Sequence, residues 1–163
     1  DEPTAVDCTA GLGEDSLLLA AAGFRVTLFE RDGTILALLG DALERAAADP
    51  QLAGIVARME LVGGDSIEGL ASLGFAPDVV YLDPMFPGRT KSAAVKKKFQ
   101  LLHHLEQPCE EEEALVQAAL AAHPRKVVIK RPPKGPELAG VKPSYTVSGK
   151  AVRYDVLVPP PIA

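Results

Sequence analysis

Tryptophan is absent and aromatic residues make up only 5% of the 163-residue chain. With so few rings, Ala, Leu and Val carry most of the 47% hydrophobic content, as in many α/β cores. The two cysteines, Cys8 and Cys109, are too few for a disulfide framework or a cysteine metal cluster. A reducing cytosol is the simplest setting, so a cytoplasmic location is expected. No apolar run approaches the ~20 residues of a membrane span, and the chain shows no signal-peptide pattern. His103, His104 and His123 lack metal-like spacing with other ligands, so no metal is expected and all three read as surface or interface residues. The charged fraction of 24% is ordinary and argues against global disorder.

What remains is enough for one domain with a real core, spanning residues 1–163, without internal repeats. The chain starts at Asp1 and runs almost at once into an apolar stretch, so a further N-terminal portion is expected ahead of it. The net charge of −5 hides an asymmetry. Residues 1–82 carry 4 basic and 14 acidic side chains, whereas residues 83–163 carry 13 basic and 8 acidic ones. The basic second half is able to bind nucleic acid locally despite the acidic total.

Short apolar runs at 5–8, 25–30, 59–62, 78–82 and 126–130 read as strands, and helical spacing covers 14–22, 34–48, 66–73, 92–105 and 110–122. Residues 145–147 and 152–158 read as a closing hairpin around Ser148-Gly149-Lys150. Strands alternating with helices predict a doubly wound α/β fold whose sheet is mostly parallel, with seven strands and a C-terminal antiparallel hairpin.

Ligands of open α/β sheets bind beyond the carboxyl ends of strands, where the strand order reverses. The first such turn is Thr9-Ala10-Gly11-Leu12-Gly13. Gly11 and Gly13 let the backbone approach a ligand, and Glu30, ending the second strand, is placed to accept hydrogen bonds from ribose hydroxyls. The third glycine of a dinucleotide fingerprint would fall at Ser16, so a nucleoside without a pyrophosphate suits the loop better. Asp65, with Ser66 beside it, follows the third strand; it suits an adenine amino group or a plain helix cap. Asp7 is expected to orient the glycine loop by bonding backbone N–H groups. Glu14 and Asp15 open the first helix, where they either reach the amino end of an amino-acid-bearing nucleoside or complement the helix dipole.

Asp83-Pro84-Met85-Phe86, directly after the fourth strand, is the most informative tetrapeptide. An exocyclic amine is a poor nucleophile because its lone pair is delocalised into the ring. A carboxylate and a backbone carbonyl that accept its two hydrogens favour the pyramidal form, whose lone pair points at a methyl donor. Asp83 and the Pro84 carbonyl suit those roles, and Phe86 suits stacking on the base, worth ~1–3 kcal/mol. The prolines limit the loop's freedom. The alternative is a plain Asp-Pro turn with Met85 and Phe86 in the core.

With these residues in place, the chain resembles class I S-adenosylmethionine-dependent methyltransferases. More narrowly, it resembles the RsmJ family, which methylates the exocyclic N2 amine of a guanosine in small-subunit ribosomal RNA. The matching stretches are residues 7–15, 28–31, 80–87, 91–97 and 127–132, with 138–141 and 150–155 also fitting. The resemblance implies a Rossmann-like class I fold with helices on both faces, S-adenosylmethionine as cofactor, and ribosomal RNA or the small subunit as partner. It implies donor binding by Glu14, Asp15, Glu30, Arg31, Asp65, Ser66 and Asp83. Family members also carry a basic, glycine-rich segment ahead of the first strand, which this chain is expected to lack.

Arg89, Lys91, Lys96, Lys97 and Lys98 follow the Asp-Pro loop, and Lys130 and Arg131 close the fifth strand. Near the carboxyl edge of the sheet they are candidates for phosphate contacts that position RNA without reading sequence; a solvated helix face is the alternative. Rival functions are methylation of another amine, in DNA or a protein side chain, a nucleotide-binding oxidoreductase, and a non-catalytic nucleoside-binding module. Oligomeric state and target nucleotide are not encoded legibly.

Overall fold

The computed structural model describes residues 2–84 and 112–161. Five strands lie parallel: β1 (Thr4–Asp7), β2 (Arg25–Glu30), β3 (Met59–Gly63), β4 (Val79–Leu82) and β5 (Lys126–Arg131). The chain ends in β6 (Tyr145–Ser148) and β7 (Arg153–Leu157), which pair antiparallel. The seven strands form one sheet in the order β3-β2-β1-β4-β5-β7-β6. This is the expected mixed sheet. Its last strand, β7, inserts between β5 and β6, so the hairpin joins the sheet through its second strand. Burial explains the choice: β7 is buried over Asp155-Val156-Leu157, while every residue of β6 is exposed.

The helices are α1 (Glu14–Ala21), α2 (Gly33–Ala47), α3 (Ala53–Val56), α4 (Ser66–Ala71) and α5 (Glu112–Ala121), with a 3₁₀ turn over Leu138–Gly140. α2 begins where Asp32 accepts the Thr34 and Ile35 N–H groups, both at 2.9 Å, satisfying donors the helix itself leaves unpaired. Short α3 falls in a stretch that hydrophobic spacing does not resolve.

Alternate strand residues feed two cores, one on each sheet face. Val6, Val80, Leu82 and Val127 pack with Leu70 of α4 and Leu115 and Val116 of α5. Ala5, Val26 and Leu28 pack with Ala20 of α1 and Leu39 of α2. Helices thus cover both faces, which is why β4 is apolar without alternation. Chain order reverses between β1 and β4, so their carboxyl ends open the crevice where such sheets bind ligands. The expected helix 92–105 and the start of 110–122 lie outside the described residues, as do Cys109, His103 and His104. His123 is exposed, as read from sequence. Among the described residues no helix is long and apolar enough to cross a membrane.

Candidate functional site

Two loops leave the crevice side by side: Cys8–Gly13 after β1, and Asp83-Pro84 after β4. Backbone and side-chain bonds tie them together. The Cys8 N–H donates to the Tyr81 carbonyl at 3.1 Å, and the Asp83 N–H donates to Thr9 Oγ1 at 2.7 Å. Thr9 therefore fixes the start of the Asp-Pro loop, a role that sequence reasoning misses.

Asp7 orients the first loop as expected. It is 1% exposed, and its carboxylate accepts from the Thr9 N–H at 2.9 Å and from the Ser16 hydroxyl at 2.5 Å. Burial pushes its carboxyl up to about 6, against the opposing pull of those hydrogen bonds. Burial also holds the adjacent Cys8 thiol well above its usual range, consistent with a small core residue. In sequence Ser16 reads only as a missing glycine, although a fully buried serine in the apolar run Ser16-Leu17-Leu18-Leu19 needs a polar partner.

Gly11 and Gly13 both take positive φ, +53° and +77°, a region that side-chain-bearing residues avoid. At Gly13 an added Cβ would also lie 2.7 Å from Leu39 Cδ1. Helix α1 can therefore begin tightly against α2. Glu30 reaches across from the end of β2 and is 6% exposed. Its oxygens accept from the Gly11 N–H at 3.1 Å and the Asp32 N–H at 2.8 Å. One carboxylate thus locks two loops, and burial raises its proton affinity despite those bonds.

Asp65 caps α4, accepting from the Ile67 N–H at 2.8 Å and the Glu68 N–H at 3.4 Å. Its other oxygen lies 4.0 Å from the exposed Arg31 guanidinium. The cap is real, and it leaves the Asp65 side chain at the mouth beside Ser66, which opens α4. Glu14 is exposed at the start of α1. Asp15, one residue on, turns inward: its Oδ2 accepts from the Tyr81 hydroxyl at 2.8 Å and from Lys130 Nζ at 2.9 Å. Lys130 Nζ also lies 3.4 Å from Asp83 Oδ2. Tyr81 is another residue that sequence reasoning misses. Its signal is a lone phenol in the aliphatic strand Val79-Val80-Tyr81-Leu82, since a buried tyrosine hydroxyl requires a partner. Burial and the bond to Asp15 raise its proton affinity.

The basic residues at the end of β5 face the protein itself. Burial works against the Lys130 charge, but Asp15 and Asp83 outweigh it and push the ammonium up to about 12. Arg131 is 3% exposed and donates from Nε to the Pro136 carbonyl at 2.9 Å. Both groups thus have internal partners in this structure. Phe86, Arg89, Lys91, Lys96, Lys97 and Lys98 lie outside the described residues.

The crevice therefore gathers Asp7, Asp15, Glu30, Asp65 and Asp83 around two positive-φ glycines. Such a mouth offers hydrogen-bond acceptors to hydroxyls and amines, and among the described residues it lacks the surplus of cations that a pyrophosphate needs.

Known proteins are similar to this chain. The SAM_MT family, of SAM-dependent methyltransferases, matches residues 1–159. A Pseudomonas aeruginosa protein named ribosomal RNA small subunit methyltransferase J is 52% identical over 155 residues, covering 94% of this chain and 59% of its own length. A protein of the same name from Thioalkalivibrio sulfidiphilus is 48% identical over 160 residues, covering 97% of this chain and 63% of its own. The chain thus spans about six-tenths of the length of these curated relatives. The crystal structure of a SAM-dependent methyltransferase from Neisseria gonorrhoeae superposes with a TM-score of 0.81 at 37% identity, covering 97% of this chain and 62% of that one. A Streptomyces viridochromogenes rRNA methyltransferase, 17% identical with a TM-score of 0.62 over 97% of this chain and 77% of its own, shares the fold. The chain belongs to the SAM-dependent methyltransferase family.

Proposed function

We propose that this domain transfers a methyl group from S-adenosylmethionine to the exocyclic N2 amine of a guanosine in small-subunit ribosomal RNA. The observation that carries the reading is the junction of the two crevice loops. Asp83 is anchored by its own N–H to Thr9 of the glycine turn, so an amine bound by Asp83 lies beside any ligand of that turn. The relatives' name supports ribosomal RNA as the methyl acceptor.

The residues present fit the donor. Each Glu30 oxygen uses one acceptor site on a backbone N–H and keeps another for the ribose diol. Asp65 offers its carboxylate to the adenine amino group, with Ser66 and Arg31 beside it, and the turn at Gly11 and Gly13 admits the ligand backbone. Glu14 and Asp15, at the start of α1, suit its amino-acid end. When bound, the donor supplies a methyl group already activated by a sulfonium.

The work left to the chain is orientation. Inside a helix the guanine amine is paired and stacked neighbours block the approach to its lone pair perpendicular to the ring, so the base is flipped or already unpaired. Asp83 accepts one amine hydrogen and the Pro84 carbonyl the other. That geometry turns the nitrogen lone pair toward the methyl group, and Phe86 stacks on the base. Fixing the reactants in this way is worth up to ~7–11 kcal/mol. The displaced proton leaves after transfer, through Asp83 to water. Arg89, Lys91 and Lys96 to Lys98 hold the RNA backbone.

Labelled methyl transfer by the intact protein to separate RNA, DNA and protein pools, followed by nucleoside analysis, tests this. The expected product is N2-methylguanosine, and Asp83→Ala lowers transfer by at least ~100-fold with the fold intact. Label in DNA or protein, or normal turnover by Asp83→Ala, overturns it.

A further inference from the structure

Lys130 closes a bridge that spans the crevice. Its ammonium lies 2.9 Å from Asp15 Oδ2 on the glycine-loop side and 3.4 Å from Asp83 Oδ2 on the Asp-Pro side. The three side chains are only partly exposed, at 30%, 24% and 35%, so solvent screens the bridge incompletely. Each end has its own support. The Tyr81 hydroxyl holds the same Asp15 oxygen at 2.8 Å, and the Asp83 backbone is held by Thr9. Thr9 fixes where Asp83 starts but leaves its carboxylate free to rotate. Among the described residues, Lys130 is the cation that reaches that carboxylate within ion-pair distance.

We propose that Lys130 is a positioning residue that holds the Asp83 carboxylate, ionised and turned toward the crevice, by tying it to Asp15 of α1. This rests on the reading of Asp83 as the acceptor of an amine hydrogen. An ionised carboxylate accepts through both oxygens, whereas a protonated one spends an oxygen as donor. The surroundings otherwise favour protonation. Burial raises the proton affinity of Asp83, and Asp15 adds to it through like charge. Tyr81, from β4, is neutral; Arg131, from β5, helps Lys130 from farther away. Lys130 is the larger opposing influence. Lysine suits the task because a single point charge with three donors can serve two carboxylates at once.

The test titrates the Asp83 carboxyl carbon by ¹³C NMR in the intact, ligand-free protein, with the signal assigned by its loss in Asp83→Asn. Lys130→Gln and Lys130→Met remove the charge; the glutamine keeps a donor amide, so one variant preserves the packing of the bridge. The midpoint is expected to rise by about one pH unit in both, a tenfold change in proton affinity, and to return in Lys130→Arg. In parallel, the acid limb of the kcat profile moves alkaline by about one pH unit, so kcat on that limb, well below the midpoint, falls about tenfold, while KM for RNA stays within about twofold. An unchanged midpoint in Lys130→Gln overturns the role of Lys130 even if wild-type transfer is normal. Wild-type failure to methylate RNA overturns the reading of Asp83 instead, and is seen separately from the titration.

Discussion

Replacing Asp7 with asparagine removes a buried charge while keeping an acceptor for the Thr9 N–H and a donor for Ser16 Oγ. In the native state the Asp7 carboxyl titrates at about 6, against 3.8 in the unfolded chain, because burial disfavours its charged form. Between those values the native state holds a proton that the unfolded chain has already lost, so stability falls as pH rises through this window. A gap of roughly 2 pH units corresponds to ~3 kcal/mol once both states are ionised. About 1 kcal/mol of that penalty is present at pH 4.5, and nearly all of it by pH 7.5. The asparagine cannot ionise and escapes this penalty. It gives up the fit of the carboxyl group to Ser16 and Thr9, a packing and hydrogen-bond cost of ~1 kcal/mol that involves no proton and so varies little with pH. The stability of Asp7→Asn relative to wild type should therefore grow by ~2 kcal/mol between pH 4.5 and 7.5. Urea unfolding of both proteins across that range, with equal m-values as the check on two-state behaviour, measures it. A difference that is flat with pH, or that shrinks as pH rises, would refute the view that Asp7 is held ionised against its own burial.

Three further outcomes are expected. Asp65→Ala removes the cap of α4 and costs ~1 kcal/mol in urea unfolding; if Asp65 also meets adenine, donor affinity measured by calorimetry falls with it. Arg153 pairs both its Nε and Nη2 with Asp155, at 2.8 and 2.9 Å, and donates to the Gly135 carbonyl at 2.9 Å. Arg153→Met leaves the Asp155 carboxylate, 2% exposed, without that cation, and thermal unfolding should show a loss of ~3–5 kcal/mol. Reversing the charges of Lys96, Lys97 and Lys98 should flatten the slope of log K against log salt for RNA binding by ~0.7–0.9 per lost phosphate contact; an unchanged slope assigns RNA binding elsewhere.

The parts of the site legible in sequence are those that sit at strand ends. Gly11, Glu30, Asp65 and Asp83 each follow a short apolar run, and an α/β pattern sends every such position to one edge of the sheet. Asp7 is legible for the same reason. What sequence leaves hidden is which way a side chain turns once it arrives there. Nothing in the spacing of Lys130 and Arg131 shows that the fold brings Asp15 and Asp83 within reach of one and the Pro136 carbonyl within reach of the other. Thr9, Ser16 and Tyr81 are polar groups whose partners lie 74, 9 and 66 residues away, and no local spacing encodes such pairings. The hairpin is readable as a hairpin, but the insertion of β7 beside β5 follows from comparing the burial of its two strands.

The strand order β3-β2-β1-β4-β5-β7-β6 means that the chain crosses the sheet once and stays across. Sequence halves therefore become spatial halves. Residues 1–82, with 14 acids against 4 bases, build the side from β3 to β4; the described residues 112–161, with 8 bases against 4 acids, build β5, β7 and β6. A bias that composition alone averages away is thus converted, among the described residues, into a charge gradient lying across the strands, with the crevice on its acidic side. A polyanion approaching such a gradient is expected to meet the β5–β7–β6 flank first. A reshuffled topology with the same residues would keep the net charge and lose the compass.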